Sequence, residues 1–201
     1  TFMSWFDEVI LETDLVQLRP LRAADSSALV KAAADGRLWE LWYTQVPGTE
    51  TIDDYVGYAL REQAAGRALP FVVVERSSGE VIGTTRYCNA EPESRRLEIG
   101  YTWYASRVQR SAVNTQCKLA LLTHAFEQLG AIAVEFRTHW HNQASRAAIA
   151  RLGAKQDGVL RNHRLEPDGA RRDTVVFSIL DSEWPSVRKS LQFKLDRRSA
   201  G

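Results

Sequence analysis

The 201-residue chain has the length of one globular domain, and 44% apolar and 25% charged residues are ordinary for a soluble protein. A formal net charge of +1 excludes a general attraction to nucleic acid. No apolar run approaches the roughly 18 residues of a membrane-spanning helix. The acidic start does not fit a secretory signal, so we expect one cytoplasmic domain over residues 1–201, with an N-terminal extension (1–12) and a C-terminal helix or tail (182–201).

The first half of the chain predicts a strand, two helices and a hairpin. Apolar and polar side chains alternate over residues 15–21, as in a half-buried strand. Helical spacing follows on both sides of the break at Pro47, Gly48 and Thr49. An apolar run and a Ser-Ser-Gly turn predict two paired strands. The predicted elements are strands at 15–21, 69–75 and 81–89 and helices at 23–42 and 51–66.

The second half alternates strands with helices. The sequence RLEIGYTWY alternates strongly, and Gly130 and Gly153 each end a helical pattern. The predicted elements are strands at 96–104, 132–140, 155–161 and 173–180 and helices at 113–129, at 143–152 and from about Ser182. Early hairpins and later strand-helix-strand units predict an α/β fold, with a mixed, mostly antiparallel sheet of about seven strands flanked by helices.

The turn between the strand at 96–104 and the following helix is a candidate anion site. The first N–H groups of a helix have no partner within it and carry a partial positive charge. Arg107 and Lys118 lie near enough in sequence to meet phosphates. A plain turn with solvated arginines is the alternative. The candidate residues are Gln109, Arg110, Ser111, Ala112, Val113, Asn114 and Thr115.

This turn, together with His-Asn-Gln-Ala-Ser at 141–145 and Leu-Gly-Ala at 152–154, resembles the GCN5-related N-acetyltransferase (GNAT) superfamily, most closely its Rim-type branch, over residues 15–184. The resemblance implies the GNAT acyl-CoA N-acyltransferase fold, acetyl-CoA as cosubstrate, and a turn of the form Gln/Arg-x-x-Gly-x-Gly/Ala that holds the CoA pyrophosphate. Ala112 and Asn114 replace its two small residues. Because alanine preserves a close backbone approach and asparagine tolerates left-handed angles, we expect the turn to keep its function.

The second motif supplies a candidate proton donor. The resemblance implies that Asn142 contacts the pantetheine arm or acyl region and that the Ser145 hydroxyl lies near the thioester sulfur. Many relatives place a tyrosine acid seven residues after this asparagine, where this chain has Ile149. We therefore expect Ser145, directly or through water, to protonate the departing thiolate. Asn142 is equally well suited to capping the following helix, and both roles are compatible.

Acyl transfer also needs donors for the carbonyl oxygen and a base for the amine. The donors are expected in a splayed strand pair, on the backbone of Tyr101, Thr102 and Trp103. Gly100 fits a bulge, a close ligand approach or simple packing. Strand alternation places Glu98, the candidate base, on one face with Gly100 and Thr102, opposite Ile99, Tyr101 and Trp103. Glu135, water and a merely solvated carboxylate are the alternatives.

The acceptor is expected to be a primary amine. Trp39, Trp42 and Tyr43 stand at helical spacing and are candidate substrate contacts, although such a stripe also suits a core. An α-amine with a pKa of about 7.8 is far more often neutral at pH 7 than lysine at about 10.4. A weakly placed base therefore favours a protein or peptide N-terminus over lysine, with a small molecule as the other acceptor.

Two rival functions compete with acetyl transfer. The same fold could bind acyl-CoA without turnover, as a sensor or interaction module, which the absent tyrosine favours. A basic tail could bind RNA, with Lys189, Lys194, Arg197 and Arg198 as contacts. His139 and His141 share a strand face but lack a third ligand, and Cys88 and Cys117 lack metal spacing. We expect no metal, no membrane and no nucleic-acid partner, and leave a homodimer open.

Overall fold

A computed structural model describes residues 5–199, so the outer ends of the predicted extension and tail, residues 1–4 and 200–201, lie outside the described residues. Its strands form one sheet in the order β1-β2-β3-β4-β5-β6-β8-β7. The strands are β1 (Leu11–Glu12), β2 (Val16–Pro20), β3 (Leu69–Glu75), β4 (Val81–Glu91), β5 (Arg96–Tyr104), β6 (Ala133–His139), β7 (Lys155–Leu165) and β8 (Arg171–Leu180). Within the described chain, only β5 and β6 pair in parallel. The predicted mixed, mostly antiparallel sheet is confirmed, with eight strands because two-residue β1 is too short to show alternation.

Helices cover the sheet on both faces. They are α1 (Ser26–Ala34), α2 (Ile52–Ala64), α3 (Val113–Thr123), α4 (Gln143–Arg151) and α5 (Trp184–Ser199). We call one face the α2 face, because Trp103 Nε1 donates to the α2 hydroxyl Tyr55 Oη at 3.2 Å. The other is the α3 face, where Tyr87 Oη donates to the Leu121 carbonyl of α3 at 2.6 Å. Residues of α3, α4 and α5 line one small pocket, so these three helices lie on the same side.

The predicted helix over residues 23–42 was wrong in its second half. The structure ends α1 at Ala34, and Gly36 and Arg37 then have positive φ angles of 91° and 49°. Two successive left-handed residues cannot continue a right-handed helix, so the chain passes into a short 3-10 turn, Leu38–Glu40, and a loop. The predicted helix over 113–129 is also modified, because His124–Gln128 forms a π-helical turn before Gly130.

The core lies where both sheet faces are covered. In β3, Leu69, Phe71, Val72 and Val73 are at most 1% exposed, so both faces of this strand are buried. This matches its continuous apolar sequence, since a strand with one wet face would alternate. The C-terminal half differs: α4, which packs on β6 and β8, lies on the α3 face, and the α2 face of these strands carries polar side chains such as Thr174 and Ser178.

Candidate active site

A bulge in β5 marks the centre of the site. Arg86 of β4 pairs with Gly100, and Thr84 pairs with Trp103, so two steps along β4 match three along β5. The bulge therefore consists of Tyr101 and Thr102, and Tyr101 has a positive φ of 52°. The bulge reverses the alternation beyond it. Trp103 therefore shares the α2 face with Glu98, while the Thr102 hydroxyl contacts Thr85 and Lys118 on the α3 face.

The predicted faces of Tyr101, Thr102 and Trp103 were therefore wrong, since regular alternation does not hold across a bulge. Gly100 lies beside the bulge, with a packing role of its own. A Cβ there would lie 3.1 Å from Glu98 Oε1 and 3.2 Å from Cys88 Sγ. The missing side chain thus leaves room for the Glu98 carboxylate.

Beyond this carboxylate, β5 and β6 separate. They pair only between residues 96–98 and residues 133–135. Over residues 99–104, β6 offers β5 no hydrogen-bonding partner, although β4 still pairs with it on the other side. The backbone groups of this stretch that point toward β6 therefore have no strand partner on that side and line a gap between the two strands.

The turn before α3 leaves several backbone donors free. Some are used within the turn: Gln109 N–H donates to the Ser106 carbonyl, and Val113 N–H donates to Ser111 Oγ at 3.2 Å. Within residues 5–199, the N–H groups of Ala112, Asn114 and Thr115 have no hydrogen-bonding partner. An anion at this helix end would meet unpaired donors and the positive end of the helix dipole.

The side chains of the turn mainly brace it. Gln109 Nε2 donates to the Tyr104 carbonyl at 2.9 Å, and Asn114 Oδ1 accepts from Tyr104 Oη at 3.0 Å. The left-handed residue is Arg110, with φ of 61°, whereas Ala112 has an ordinary φ of −73°. The Arg110 carbonyl accepts from Arg198 of α5 at 3.1 Å. That contact brings a second guanidinium to the turn, which sequence spacing did not predict.

Two expected phosphate contacts are used elsewhere. Arg107 forms ion pairs with Glu75 at 3.0 Å and Glu80 at 3.2 Å. Lys118 is buried, and its Nζ donates to Thr102 Oγ1 at 3.1 Å. Burial lowers the pKa of Lys118 to about 8, because desolvation penalises the charged ammonium. Neither side chain points freely from the turn.

The second motif forms the start of α4. Asn142 Oδ1 accepts from Ser145 N–H at 3.0 Å, which makes Asn142 the N-cap of this helix. Ser145 is half-buried, and its hydroxyl makes no hydrogen bond within residues 5–199. Ile149 is buried and supplies no proton. Ser145 therefore has a free hydroxyl, and the capping role of Asn142 is observed.

Glu98 and Glu135 lie directly opposite each other but differ in their partners. Glu135 pairs with Arg96 and with Arg137, both at 3.1 Å. Glu98 is 8% exposed, accepts from Asn89 Nδ2 at 2.6 Å, and lies 4.0 Å from Arg137. Burial raises the pKa of the Glu98 carboxyl above its usual value despite these contacts. A more basic carboxylate that is not tightly ion-paired is better suited to accept a proton.

The aromatic residues expected at the acceptor site do not form one helical stripe. Trp42 is 64% exposed, and its ring lies 5.1 Å from the His139 ring and 5.7 Å from the His141 ring. Tyr43 packs on the Trp42 edge, whereas Trp39 lies against Gly48. The loop after α1 thus reaches the end of β6, with Trp42 as its contact there.

His139 lies at the end of β6, in contact with the Trp42 ring. Its Nδ1 accepts from His141 N–H at 3.0 Å, and its Nε2 lies 3.9 Å from Glu166 Oε1. Burial lowers its pKa, which favours the neutral ring. Among residues 5–199, no group of three or more His, Cys, Asp or Glu side chains is arranged to hold a metal ion.

Sequence reasoning missed several groups near the bulge. Arg86 is 1% exposed, and its guanidinium lies 3.9 Å from the centroid of the Tyr101 ring. Tyr55 and Tyr58 of α2 also contact the Tyr101 ring. The one available signal was an arginine within the otherwise uncharged run VIGTTRYC, since a charged residue in a central strand is uncommon.

The family model described as "Acetyltransferase (GNAT) domain" matches residues 16–155, which is more than half of the chain. The chain belongs to the GNAT family of acetyltransferases. The splayed strands, the bulge and the free helix N-terminus thus lie in an acetyltransferase domain, and the predicted family and enzyme class are confirmed.

Solved GNAT structures share most of this fold. A protein of T. thermophilus, described provisionally as an acetyltransferase, is 34% identical with a TM-score of 0.81, covering 94% of this chain and 98% of that one. RimJ of Mycobacterium smegmatis, solved in complex with CoA-disulfide, is 27% identical with a TM-score of 0.76, covering 95% and 96%. The likeness to RimJ supports the Rim-type branch of the family.

The name of one similar protein refers to the ribosome. YdaF of Bacillus subtilis (strain 168), named provisionally as a ribosomal N-acetyltransferase, is 32% identical over 106 residues. That match spans 53% of this chain and 57% of YdaF. No helix within residues 5–199 of this GNAT chain has the length and apolar character to cross a bilayer.

Proposed function

We propose that this GNAT enzyme transfers an acetyl group from acetyl-CoA to a primary amine by direct attack in a ternary complex. The observation that carries the proposal is the arrangement around β5. Free N–H groups at the start of α3 lie beyond one end of the strand, the bulge and the open gap lie along it, and Glu98 lies before the bulge. A diphosphate, a thioester and an attacking amine would each meet suitable groups in that order.

The residues present fit coenzyme A. The free N–H groups of Ala112, Asn114 and Thr115 would hold the pyrophosphate, with Arg110 and Arg198 beside them. Acetyl-CoA, when bound, supplies an electrophilic thioester carbon. The RimJ structure with CoA-disulfide, which shares this fold, supports the same donor here.

Three groups of this chain would then serve the transfer. Glu98 takes the proton of the acceptor ammonium, because burial makes its carboxylate more basic. Backbone N–H groups between Tyr101 and Trp103 that face the gap donate to the carbonyl oxygen. The free hydroxyl of Ser145, directly or through water, returns a proton to the departing sulfur.

The acceptor we favour is the α-amine of a protein or peptide. At pH 7 an α-amine needs only about 1 kcal/mol to lose its proton, whereas lysine needs about 4.6 kcal/mol. A single buried carboxylate is better matched to the smaller demand. The ribosomal name of YdaF supports a protein N-terminus. We further propose that the chain is one domain, since Trp184, Val187 and Leu191 of α5 join the core. We also propose a cytoplasmic location.

The test is release of free thiol from acetyl-CoA with a panel of peptides and small amines, followed by mass analysis of the products. We expect a gain of one acetyl group on an α-amine and faster release with peptides than with lysine side chains. The result against the proposal is coenzyme A binding in calorimetry without thiol release for any amine. That outcome would favour an acyl-CoA-binding module, for which the buried Ile149 in place of a tyrosine is the supporting observation.

A further inference from the structure

Two arginines face each other without an ion-paired carboxylate. Arg164 of β7 and Arg172 of β8 are direct partners in the antiparallel register. Like charges directly opposite on one sheet face destabilise a strand pair. Within residues 5–199, neither side chain has a hydrogen-bonding or ion-pair partner, and Arg172 Nε is shielded from solvent and unbonded. Arg164 is exposed to solvent, but a buried guanidinium nitrogen without an acceptor is costly, so Arg172 requires an explanation.

Two nearby arginines, Arg161 of β7 and Arg137 of β6, are paired with acids. Arg161 binds Asp173 at 2.6 Å, and Arg137 binds Glu135 at 3.1 Å. A bulge over residues 161–163, with Asn162 at a positive φ of 49°, separates Arg161 from Arg164. Asp173 and Glu135 are thus used by other arginines. Glu166 acts on Arg172 electrostatically but forms no ion pair with it, and the irregular strand places Arg164 against Arg172.

The pair lies on the face of the reaction centre. Pairing of β6 with β8 puts Ser178 opposite Glu135, and alternation from Ser178 to Arg172 keeps both on the α2 face. Burial and then Arg164 lower the pKa of Arg172, while Glu166, Glu98 and Tyr101 act in the opposite direction. Arg172 therefore shares the electrostatic field of the residues assigned to catalysis.

A third guanidinium adds positive charge to this face of the sheet. Arg86 lies on the same face, and none of its three guanidinium nitrogens has a hydrogen-bonding partner within residues 5–199. It is held by the rings of Tyr101 at 3.9 Å and Tyr55 at 5.1 Å. These rings shield it from direct ligand contact, so it contributes fixed positive charge beneath the bulge.

We propose that the acceptor carries a carboxylate beside its amine and that Arg164 and Arg172 bind this carboxylate while the amine lies at Glu98. The inference rests on the proposed acetyl transfer and names its substrate class. Two facing guanidinium groups match the two oxygens of a carboxylate and provide charge-assisted hydrogen bonds. The bound carboxylate also relieves the repulsion between the two arginines. The carboxylate belongs either to an acidic side chain near a peptide N-terminus or to a free amino acid.

The activity test compares matched acceptors. One pair is Ser-Glu and Ser-Gln peptides of otherwise identical sequence, and the other is a free amino acid and its amide. We expect kcat/KM to be about tenfold or more higher for the carboxylate member of one pair, which identifies the source. Arg172→Gln and Arg164→Gln should reduce this preference toward one. Arg171→Gln, on the adjacent exposed residue of the opposite face, should keep it.

A binding test separates this inference from the proposed function. Calorimetry with CoA-saturated protein measures the affinity for the same acceptors without chemistry. We expect tighter binding of the carboxylate member, and its loss in Arg172→Gln. Equal affinity and equal kcat/KM within both pairs would overturn the inference even if acetylation occurs. Turnover of no amine, with the binding preference intact, would instead refute the acetyl-transfer proposal alone.

Discussion

The two halves of the sheet differ in the packing and chemistry of their faces. In β3 and β4 both faces are packed, and the buried side chains are largely apolar, as Phe71 and Ile82 illustrate. From β6 to β8 the α2 face carries polar and ionisable groups, among them Arg137 and Arg172. The first half supplies stability, and the second supplies a surface that can recognise a substrate. Glu98 lies at their junction.

The largest expected effect comes from this junction. Glu98→Gln should lower kcat about 10²–10⁴-fold, because it removes the proposed base. Activity of the unchanged enzyme should fall as pH drops through the Glu98 pKa, which burial places above the usual carboxyl value. This decrease is the acidic limb of the pH profile, and Glu98→Gln should lack it. A pH profile of kcat/KM measures both effects.

Glu135→Gln is the control, since the Glu135 carboxylate is held by Arg96 and Arg137. It should retain the acidic limb. If the two variants behave alike, Glu98 has no special part in proton transfer.

The covered half should dominate folding stability. Phe71 is completely buried, so Phe71→Ala should lower the free energy of unfolding by about 3–5 kcal/mol. Leu165, at the end of β7, is 76% exposed. Leu165→Ala should therefore change the free energy of unfolding by less than about 0.5 kcal/mol. Urea unfolding measures both. Equal losses would show that the two halves contribute alike.

Lys118 should make stability depend on pH. Its folded-state pKa of about 8 lies below the unfolded value of about 10.4, so the unfolded chain binds more protons between these pH values. The penalty of burying the ammonium, about 3 kcal/mol, is therefore fully present below pH 8 and disappears as pH rises toward 10.

Lys118→Met should remove that penalty at pH 7 and become less advantageous with increasing pH. Unfolding of the two proteins from pH 7 to pH 10 measures the difference. Lys155→Met is the control, since this lysine is 77% exposed and pairs with Glu183. Parallel stability curves for the unchanged protein and Lys118→Met would show that Lys118 is not a buried cation.

The smallest effect concerns the proton returned to sulfur. Ser145→Ala should lower kcat about tenfold and leave coenzyme A affinity nearly unchanged, because water can replace a hydroxyl donor. Steady-state kinetics and calorimetry separate the two quantities. A normal rate would remove Ser145 from the mechanism.

Much of the fold was predictable because local patterns were consistent with tertiary contacts. Alternation in RLEIGYTWY identified β5, and Gly130 and Gly153 correctly ended two helices. Arg37 and Tyr101 could not be anticipated, since both adopt positive φ although they are not glycine. The consequences were a shortened first helix and reversed faces at Tyr101, Thr102 and Trp103.

The candidate site was predictable where it depends on consecutive residues. The free amides before α3 and the Asn142 cap follow from sequence motifs. The partners of side chains do not, because ion pairs such as that between Arg107 and Glu75 join distant segments. The unpaired Arg164 and Arg172 likewise become visible only when β7 and β8 are paired.

The central claim is that the start of α3 binds the diphosphate of coenzyme A. The most direct measurement is a titration of ¹⁵N-labelled protein with coenzyme A, followed by amide chemical shifts. We expect the largest changes at Ala112, Asn114 and Thr115, whose N–H groups are free in the unliganded fold. Unchanged resonances for these three residues at saturating coenzyme A would contradict the account.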